Sequence, residues 1–262
     1  MQPYTITFNG YSLQNSSFRT RVMQHTNIPG KIIQTENRAR ADGLTVVNVK
    51  YSSRTIEVEG SLTAADRATL VAAVDAMKLN LNGVSGVLDI QWGNSGSVRR
   101  YYATVDTLEI PEDFYNISQV PYKIKFLCAD PFGYPTNSGN LTFLGRTAAL
   151  LDTVITLSGS YDTDPVVQLN VNSATGFSML TVSNQNTGES IVVSNPAGNF
   201  QGGDVIILDS KRKLALLNGS GIDYTGRFVS LKADNTAQRL RAEMLVSAVN
   251  YDLIINYSPK YL

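Results

Sequence analysis

The feature that most constrains the fold is a series of short strand-like runs in the second half of the sequence. They recur roughly every dozen residues and are separated by Gly, Asn, Asp and Ser, which favour turns. Such spacing is typical of an antiparallel sandwich of two sheets. The runs that predict strands are LTFLG, VITLSG, DPVVQLNVN, SMLTVSNQ, ESIVVSN, GDVIILD, KLALLNG, RFVSL and DLIINYS. One segment between them, TAQRLRAEM, favours a helical turn.

The first half combines strand-like runs with one predicted helix. YTITF leads into Asn9-Gly10, a strong signal for a hairpin turn, and GLTVVNVKY and RTIEVEG also predict strands. The helix is predicted within SLTAADRATLVAAVDAMKLNLNG, with Thr63 as its cap, Asp66 favouring its N-terminus, and Asn82-Gly83 ending it. An apolar stripe at helical spacing predicts that the helix packs on a sheet. That stripe consists of Leu70, Val74 and Met77, with Val71 beside them.

A domain boundary is predicted near residues 130–140. Tyr122, Ile124 and Phe126 alternate with lysines, as in a half-buried strand, and a segment rich in Pro, Gly and Asn follows. A chain of 262 residues is long enough for two domains with cores of their own. We therefore assign residues 1–135 to one domain and residues 136–262 to a second. The predicted fold class is mainly β.

Composition excludes several classes of partner and cross-link. The 22 basic and 22 acidic side chains cancel, which gives no reason to expect DNA or an anionic membrane as the main partner. No apolar run is long enough to cross a bilayer, and MQPYTITFNG lacks the pattern of a secretory signal. A single cysteine, Cys128, excludes an internal disulfide. We expect a soluble protein, without membrane insertion, that is made in a reducing cytoplasm.

Catalytic and metal sites find little support in the sequence. Histidine-dependent catalysis would need His25, the only histidine, which lies in a polar context and is expected to face solvent. Cys128 lies in a strand pattern and is expected to be a buried, structural thiol. One cysteine and one histidine cannot form a zinc site, and the turn with Asp162 and Asp164 lacks the other ligands of a calcium loop. We predict no catalytic residue, metal or cofactor.

The sequence offers candidate residues for two kinds of sugar site, a glycosidase site and a sugar-binding platform. Asp204 and Asp209 are five residues apart, so on a strand they point to opposite faces, which argues against a shared glycosidase site. Trp92, Tyr101 and Tyr102 could form a sugar-binding platform, but a Trp-Tyr pair in the core is favoured. The basic cluster from Lys211 to Lys213 is interpreted as a solvated hairpin tip.

Two motifs, in this order, carry a family resemblance. The first is an aromatic-rich strand that runs into Asp130, Pro131 and Phe132. The second is Gly-Asp, an apolar strand, Asp, a basic residue, a second strand and Asn-Gly. Its matching residues are Gly203, Asp204, Ile206, Leu208, Asp209, Arg212, Asn218 and Gly219. Together they resemble the distal tail protein family of long-tailed, non-contractile bacteriophages.

The resemblance implies a structural virion protein and no enzymatic activity. Residues 1–135 would form a tail-tube-like domain that assembles into a ring, which in this family has six copies. Residues 136–262 would form a galectin-like sandwich at the periphery. The ring would join the tail tube to the tail-tip hub, hold receptor-binding or fibre proteins, and contact DNA only as it passes through the channel. The protein would be made in the bacterial cytoplasm and reside in the virion.

The polar segment from Gln34 to Gly43 is the candidate contact between subunits. It contains Arg38 and Arg40 and is predicted to be a long loop or the tip of an extended hairpin. It either reaches a neighbouring copy or remains a mobile polar loop. Two other functions stay open: a carbohydrate-binding sandwich that recognises host polysaccharide, and, with less support, an envelope hydrolase using His25 or Asp204.

Overall fold

The structure, a computed structural model, describes residues 4–14, 18–23, 25–39, 42–83, 85–93, 96–111, 118–234 and 236–262. The chain divides into two compact units, residues 1–136 with Leu262 and residues 137–261. Strands dominate both, so the mainly β fold class is confirmed. No helix in these ranges is long and apolar enough to cross a membrane.

The N-terminal unit contains a seven-stranded antiparallel sheet and a separate two-stranded hairpin. Its strands are β1 (Tyr4–Phe8), β2 (Tyr11–Ser12), β3 (Phe18–Met23), β4 (Lys31–Asn37), β5 (Leu44–Tyr51), β6 (Arg54–Thr63), β7 (Ser85–Trp92), β8 (Val98–Glu109) and β9 (Gln119–Cys128). The large sheet has the order β2-β1-β7-β8-β9-β6-β3, while β4 pairs with β5 alone. The Asn9-Gly10 turn between β1 and β2 is confirmed, with a positive φ at both residues.

The two edges of the large sheet approach one another. Thr20, on edge strand β3, donates its backbone N–H to Oε1 of Gln14 at 3.1 Å, just beyond edge strand β2. The Thr20 hydroxyl also contacts the carbonyl of Leu13 and the hydroxyl of Tyr122, the latter at 2.8 Å. The sheet therefore curls, which covers part of the edge backbone that an open sheet would leave unpaired.

One helix, α1 (Arg67–Leu81), packs on this sheet. Its cap is Asp66, whose Oδ1 accepts from the Thr69 backbone N–H at 2.8 Å, and this hydrogen bond lowers the pKa of the Asp66 carboxyl. The prediction of Thr63 as the cap was wrong, because Thr63 is the last residue of β6. Leu70, Val74 and Met77 are buried as predicted, whereas Val71 lies on the outer side and is half exposed.

The C-terminal unit is a sandwich of two antiparallel sheets, as predicted. Its strands are β10 (Gly139–Arg146), β11 (Leu150–Thr156), β12 (Val166–Thr175), β13 (Met179–Asn184), β14 (Glu189–Ser194), β15 (Val205–Asp209), β16 (Leu214–Leu217), β17 (Ser220–Gly221), β18 (Tyr224–Gly226), β19 (Ala237–Leu245) and β20 (Ala248–Tyr257). One sheet has the order β10-β20-β12-β15-β16-β17, and the other has the order β11-β19-β13-β14-β18.

Side chains from both sheets of the sandwich fill one apolar core. Phe177 and Phe200 lie near its centre, with their ring centroids 4.8 Å apart. The helical turn predicted for TAQRLRAEM was wrong, because this segment belongs to β19. Leu240, Ala242 and Met244 are buried at every second position there, which places them on the core side of a strand. The packing of this face outweighs the weak local preference of the segment for helix.

Candidate assembly interface

The β4–β5 hairpin is exposed along almost its whole length. Every residue of β4 is exposed, as are all residues of β5 except Asn48 and Tyr51. The segment from Gln34 to Gly43 includes the end of β4 and the turn, where the Arg38 N–H donates to the Gly43 carbonyl at 3.4 Å. Arg40 lies outside the described residues. The hairpin thus presents backbone and side chains that its own chain leaves uncovered.

A β-bulge gives this hairpin one apolar face. Gln34 pairs with Asn48 and Thr35 with Val46, so Val47 is an extra residue in β5. Because side chains alternate between faces, this extra residue places Leu44 and Val46 on the same face as Val49. Ile33 pairs with Val49 and completes the set. We call Ile33, Leu44, Val46 and Val49 the apolar face; their side chains are 49–56% exposed.

The opposite face of the hairpin is mostly polar. The pairs Gln34–Asn48 and Glu36–Thr45 lie on it, together with Ile32 and Lys50. The Asn48 side-chain amide donates to Oε1 of Gln34 at 3.3 Å. Amphipathic strands normally bury their apolar side against a partner. The apolar face therefore has the character of a contact surface.

The first family motif lies at the base of this hairpin. The Phe132 ring packs edge-on against Tyr51, the last residue of β5, at 5.9 Å between centroids. Asp130 fixes the turn that carries Phe132: its Oδ1 accepts from the Phe132 N–H at 3.2 Å and its Oδ2 accepts from the Tyr134 hydroxyl at 2.7 Å. Pro131 lies between them and suits such a turn because its φ is fixed. Asp130, Pro131 and Phe132 thus support the hairpin base.

The second family motif forms a turn clamp in the sandwich. Gly203 and Asp204 precede β15, and Asn218 and Gly219 form the turn after β16, with a positive φ at Gly203, Asn218 and Gly219. The Asn218 side-chain amide donates to Oδ1 of Asp204 at 2.8 Å. Oδ1 of Asn218 accepts from the Val205 N–H at 2.9 Å. Two turns at the same end of the β15–β16 hairpin are therefore joined side by side.

The rest of this motif lies at the other end of the β15–β16 hairpin. Oδ1 of Asp209 accepts from the Arg212 N–H at 2.9 Å, which shapes the turn. Lys213 has a φ of 58°, and its Nζ lies 3.6 Å from Oδ1 of Asp164. The basic cluster is a hairpin tip, as predicted, but Lys213 is held by this ion pair. Asp204 and Asp209 stabilise separate turns and share no site.

Comparisons with known proteins show what this chain is similar to, and the second motif lies within the range matched by a family model. The C-terminal domain of the siphovirus-type tail component family matches residues 158–261. The chain is also similar to the crystal structure of Dit from phage SPP1, which is described as a paradigm of the hub adsorption apparatus in phages that infect Gram-positive bacteria. The match covers 99% of each chain, with a TM-score of 0.68 and 14% sequence identity. The resemblance to the distal tail protein family is confirmed.

The extent of these matches differs between the two units. The family match lies within the sandwich, and the N-terminal unit shares the fold of the SPP1 Dit protein. A chain of the phage p2 baseplate, in its activated conformation with Ca, is 10% identical over 99% of this chain and 98% of that chain. The TM-score of this match is 0.43. No protein with curated annotation matches significantly.

His25 is buried, so the prediction that it faces solvent was wrong. Its backbone carbonyl accepts from Nη1 of Arg54 at 3.0 Å, and its ring lies edge-on to Trp92 at 6.2 Å between centroids. Burial, and then the positive charge of Arg54, lower the pKa of His25, which favours the neutral imidazole. The polar residues around His25 in the sequence gave no sign of this, because Arg54 and Trp92 are distant along the chain.

The three aromatic residues considered for sugar binding form no common platform. Tyr101 is buried, and its hydroxyl accepts from Nη1 of Arg54 at 3.2 Å. Trp92 is 56% exposed, so the predicted Trp-Tyr core pair was wrong: Trp92 ends β7, beyond the last buried pair of that strand. Tyr102 is also exposed but pairs with Val87 on the outer face of the sheet. Trp92 and Tyr102 therefore lie on opposite faces.

Asp162 and Asp164, the residues considered for calcium, form ion pairs with lysines. Oδ2 of Asp162 lies 2.7 Å from Nζ of Lys232, and Oδ2 of Asp164 lies 3.1 Å from Nζ of Lys260. Among the described residues, no group of three or more His, Cys, Asp or Glu side chains could hold a metal ion. Within that part of the chain, these carboxylates link loops of the sandwich.

Cys128 is fully buried on the same face of β9 as Phe126, and burial raises its pKa to about 12. We expect the folded protein to react with Ellman's reagent roughly a thousandfold more slowly than an ordinary thiol, because only the thiolate attacks. Reaction should become fast in guanidinium chloride, when the strand is exposed. Prompt stoichiometric labelling under native conditions would contradict the buried position of Cys128.

Proposed function

We propose that this chain is a structural adaptor of a long, non-contractile phage tail and forms a ring of six copies at the distal end of the tail tube. The main observation that supports this proposal is the match of residues 158–261 to the siphovirus-type tail component domain. The whole-chain fold likeness to SPP1 Dit supports the same conclusion. In this proposal the protein resides in the virion, is made in the bacterial cytoplasm, and has no enzymatic role.

The ring would form through the N-terminal unit. An isolated two-stranded hairpin is marginally stable in water, and an exposed apolar ribbon favours association. The β4–β5 hairpin has both properties, and Phe132 and Tyr51 fix its base. Assembly would cover the apolar face and give the exposed ribbon a defined partner. Arg38 and Arg40 belong to this contact as predicted residues of the tip.

The two units would divide the contacts of the tail tip. The N-terminal units would stack between the tail tube and the hub and enclose the channel through which DNA passes. The sandwiches, residues 136–262 in the predicted division, would lie at the periphery and hold receptor-binding or fibre proteins. The turn clamps around Asp204, Asn218 and Asp209 would keep the sandwich rigid enough for that role.

Ring formation is tested with the purified full-length chain. We expect a species with a mass six times the 28.5 kDa of one chain by light scattering after size exclusion, and six-fold rings in negative stain. Assembly should grow with protein concentration, since closed rings form by mass action between copies.

A strictly monomeric protein at all concentrations, which also fails to join tail-tube or hub proteins, would overturn the proposal. A glycan-array signal from the purified chain would instead favour the carbohydrate-binding alternative. These two measurements separate the functions because ring assembly needs no sugar.

A further inference from the structure

An open groove in the N-terminal unit lies between the C-terminal half of α1 and strand β8. Its volume is about 730 Å³. Its apolar lining consists of the buried Leu81 and Val105, the partly buried Leu108, and Leu79, which is 79% exposed, more than any other large apolar side chain of the described chain. Because so little of its apolar surface is buried, this leucine contributes little to the stability of its own unit. The groove therefore offers apolar surface to another molecule.

Carboxylates line both walls of this groove. Asp75 lies on the helix side and Asp106 on the strand side, with Lys78 as the basic member of the lining. Asp106 is the extra residue of a β-bulge, because Val105 pairs with Phe126 and Thr107 with Lys125. Bulges change the direction of a side chain at such positions. The lining combines apolar surface with an excess of negative charge.

The β4–β5 hairpin has the complementary character. Its apolar face is half exposed, and the segment from Lys31 to Tyr51 contains four basic residues against two acidic ones. Lys31 lies at the base of the apolar face, paired with Tyr51, and Arg38 lies at the tip. Positive charge at both ends of an apolar strip matches negative charge on two walls of an apolar groove.

We propose that, in the ring, the apolar face of one copy's hairpin docks in the α1–β8 groove of the neighbouring copy. This inference rests on the proposed ring and names the two surfaces that build it. In a single chain the hairpin and the groove are both exposed, so the hairpin does not occupy its own groove. A chain that carries two different complementary surfaces associates head to tail, and such contacts close into rings.

Cross-linking between two single-cysteine variants tests this docking. Val46→Cys places a thiol on the apolar face, and Leu79→Cys places one in the groove. An equimolar mixture treated with a short bis-maleimide should give covalent dimers, since the two positions meet only between copies. Cys128 stays out of the reaction because it is buried.

Three controls separate docking from chance contact. Each variant alone should give at most a tenth of the dimer found in the mixture, because hairpin would not meet hairpin in a head-to-tail ring. A mixture of Thr45→Cys with Leu79→Cys should also stay low, because Thr45 lies on the polar face. If rings form and the Val46–Leu79 mixture gives no more dimer than these controls, the docking is wrong and the ring proposal stands. If no rings form, either alone or with tail-tube or hub proteins, the proposed function fails first and the docking with it.

Discussion

Replacing Val46 with aspartate is expected to abolish ring assembly at micromolar concentration while the monomer keeps its fold. Val46 is 56% exposed in the single chain, so its own unit gains little from it. In the ring the substitution would remove apolar burial and place an unpaired carboxylate in the contact. Together these cost roughly 2–4 kcal/mol per interface, which corresponds to about 30- to 1,000-fold weaker association at each contact. Light scattering of the variant measures the loss directly.

The neighbouring residue supplies the matched control for this prediction. Thr45→Asp introduces the same charge one residue away, on the polar face beside Glu36. It should leave assembly within a few-fold of the original protein, because an exposed charge is worth little. Circular dichroism should show both variants folded. Equal loss of assembly in the two variants would mean that charge on the hairpin, and not its apolar face, controls association.

The apolar face of the hairpin shows where sequence reasoning reaches its limit. The run LTVVNVKY predicts a strand, and that prediction is confirmed in β5. The face occupied by each side chain depends on whether Val47 is an extra residue, and this is a property of the pairing with β4. Without the bulge, Leu44 and Val46 would lie on the other face of the hairpin from Val49. The local sequence therefore predicts the strand, but the register of its pairing with β4 decides which side chains form the apolar face.

The burial of His25 and the exposure of Trp92 could not be predicted from the sequence either. His25 was predicted in solvent because its neighbours along the chain are polar, yet Arg54 and Trp92 enclose it in the folded unit. Trp92 was predicted in the core because its strand alternates, yet it lies at the end of β7 and is exposed. Alternation tells which face a residue occupies, but how far the core extends along a strand depends on the neighbouring strands.

Turn chemistry, in contrast, was readable directly. Asn9-Gly10 and Asn218-Gly219 both adopt the positive φ values of a two-residue hairpin turn, since asparagine and glycine tolerate that conformation best. The Asp204–Asn218 hydrogen bond then joins the two turns of the second motif. The motif is informative because each of its polar residues satisfies backbone or side-chain groups at a turn. Its contribution is therefore architectural, which fits a protein whose proposed role is assembly.

Replacing Phe126 with alanine is expected to destabilise the N-terminal unit by about 3–5 kcal/mol, the usual cost of removing a buried phenylalanine. Phe126 is fully buried in the middle of β9, and its ring centroid lies 5.1 Å from that of Phe8. It pairs with Ile56 on β6 and Val105 on β8, so the cavity would open where three strands meet. The midpoint of thermal unfolding should fall by roughly 10–20 °C.

Tryptophan fluorescence reports on the N-terminal unit alone, because the only tryptophan of the chain, Trp92, lies in that unit. Its fluorescence during guanidinium unfolding should report an earlier midpoint for Phe126→Ala. The adjacent Leu127→Ala is the matched control: Leu127 lies on the opposite face of β9 and is 41% exposed. Its cost should stay near or below about 1 kcal/mol, as for substitutions outside the core. Equal shifts for the two variants would contradict the burial pattern of β9, and with it the position of the core of the N-terminal unit.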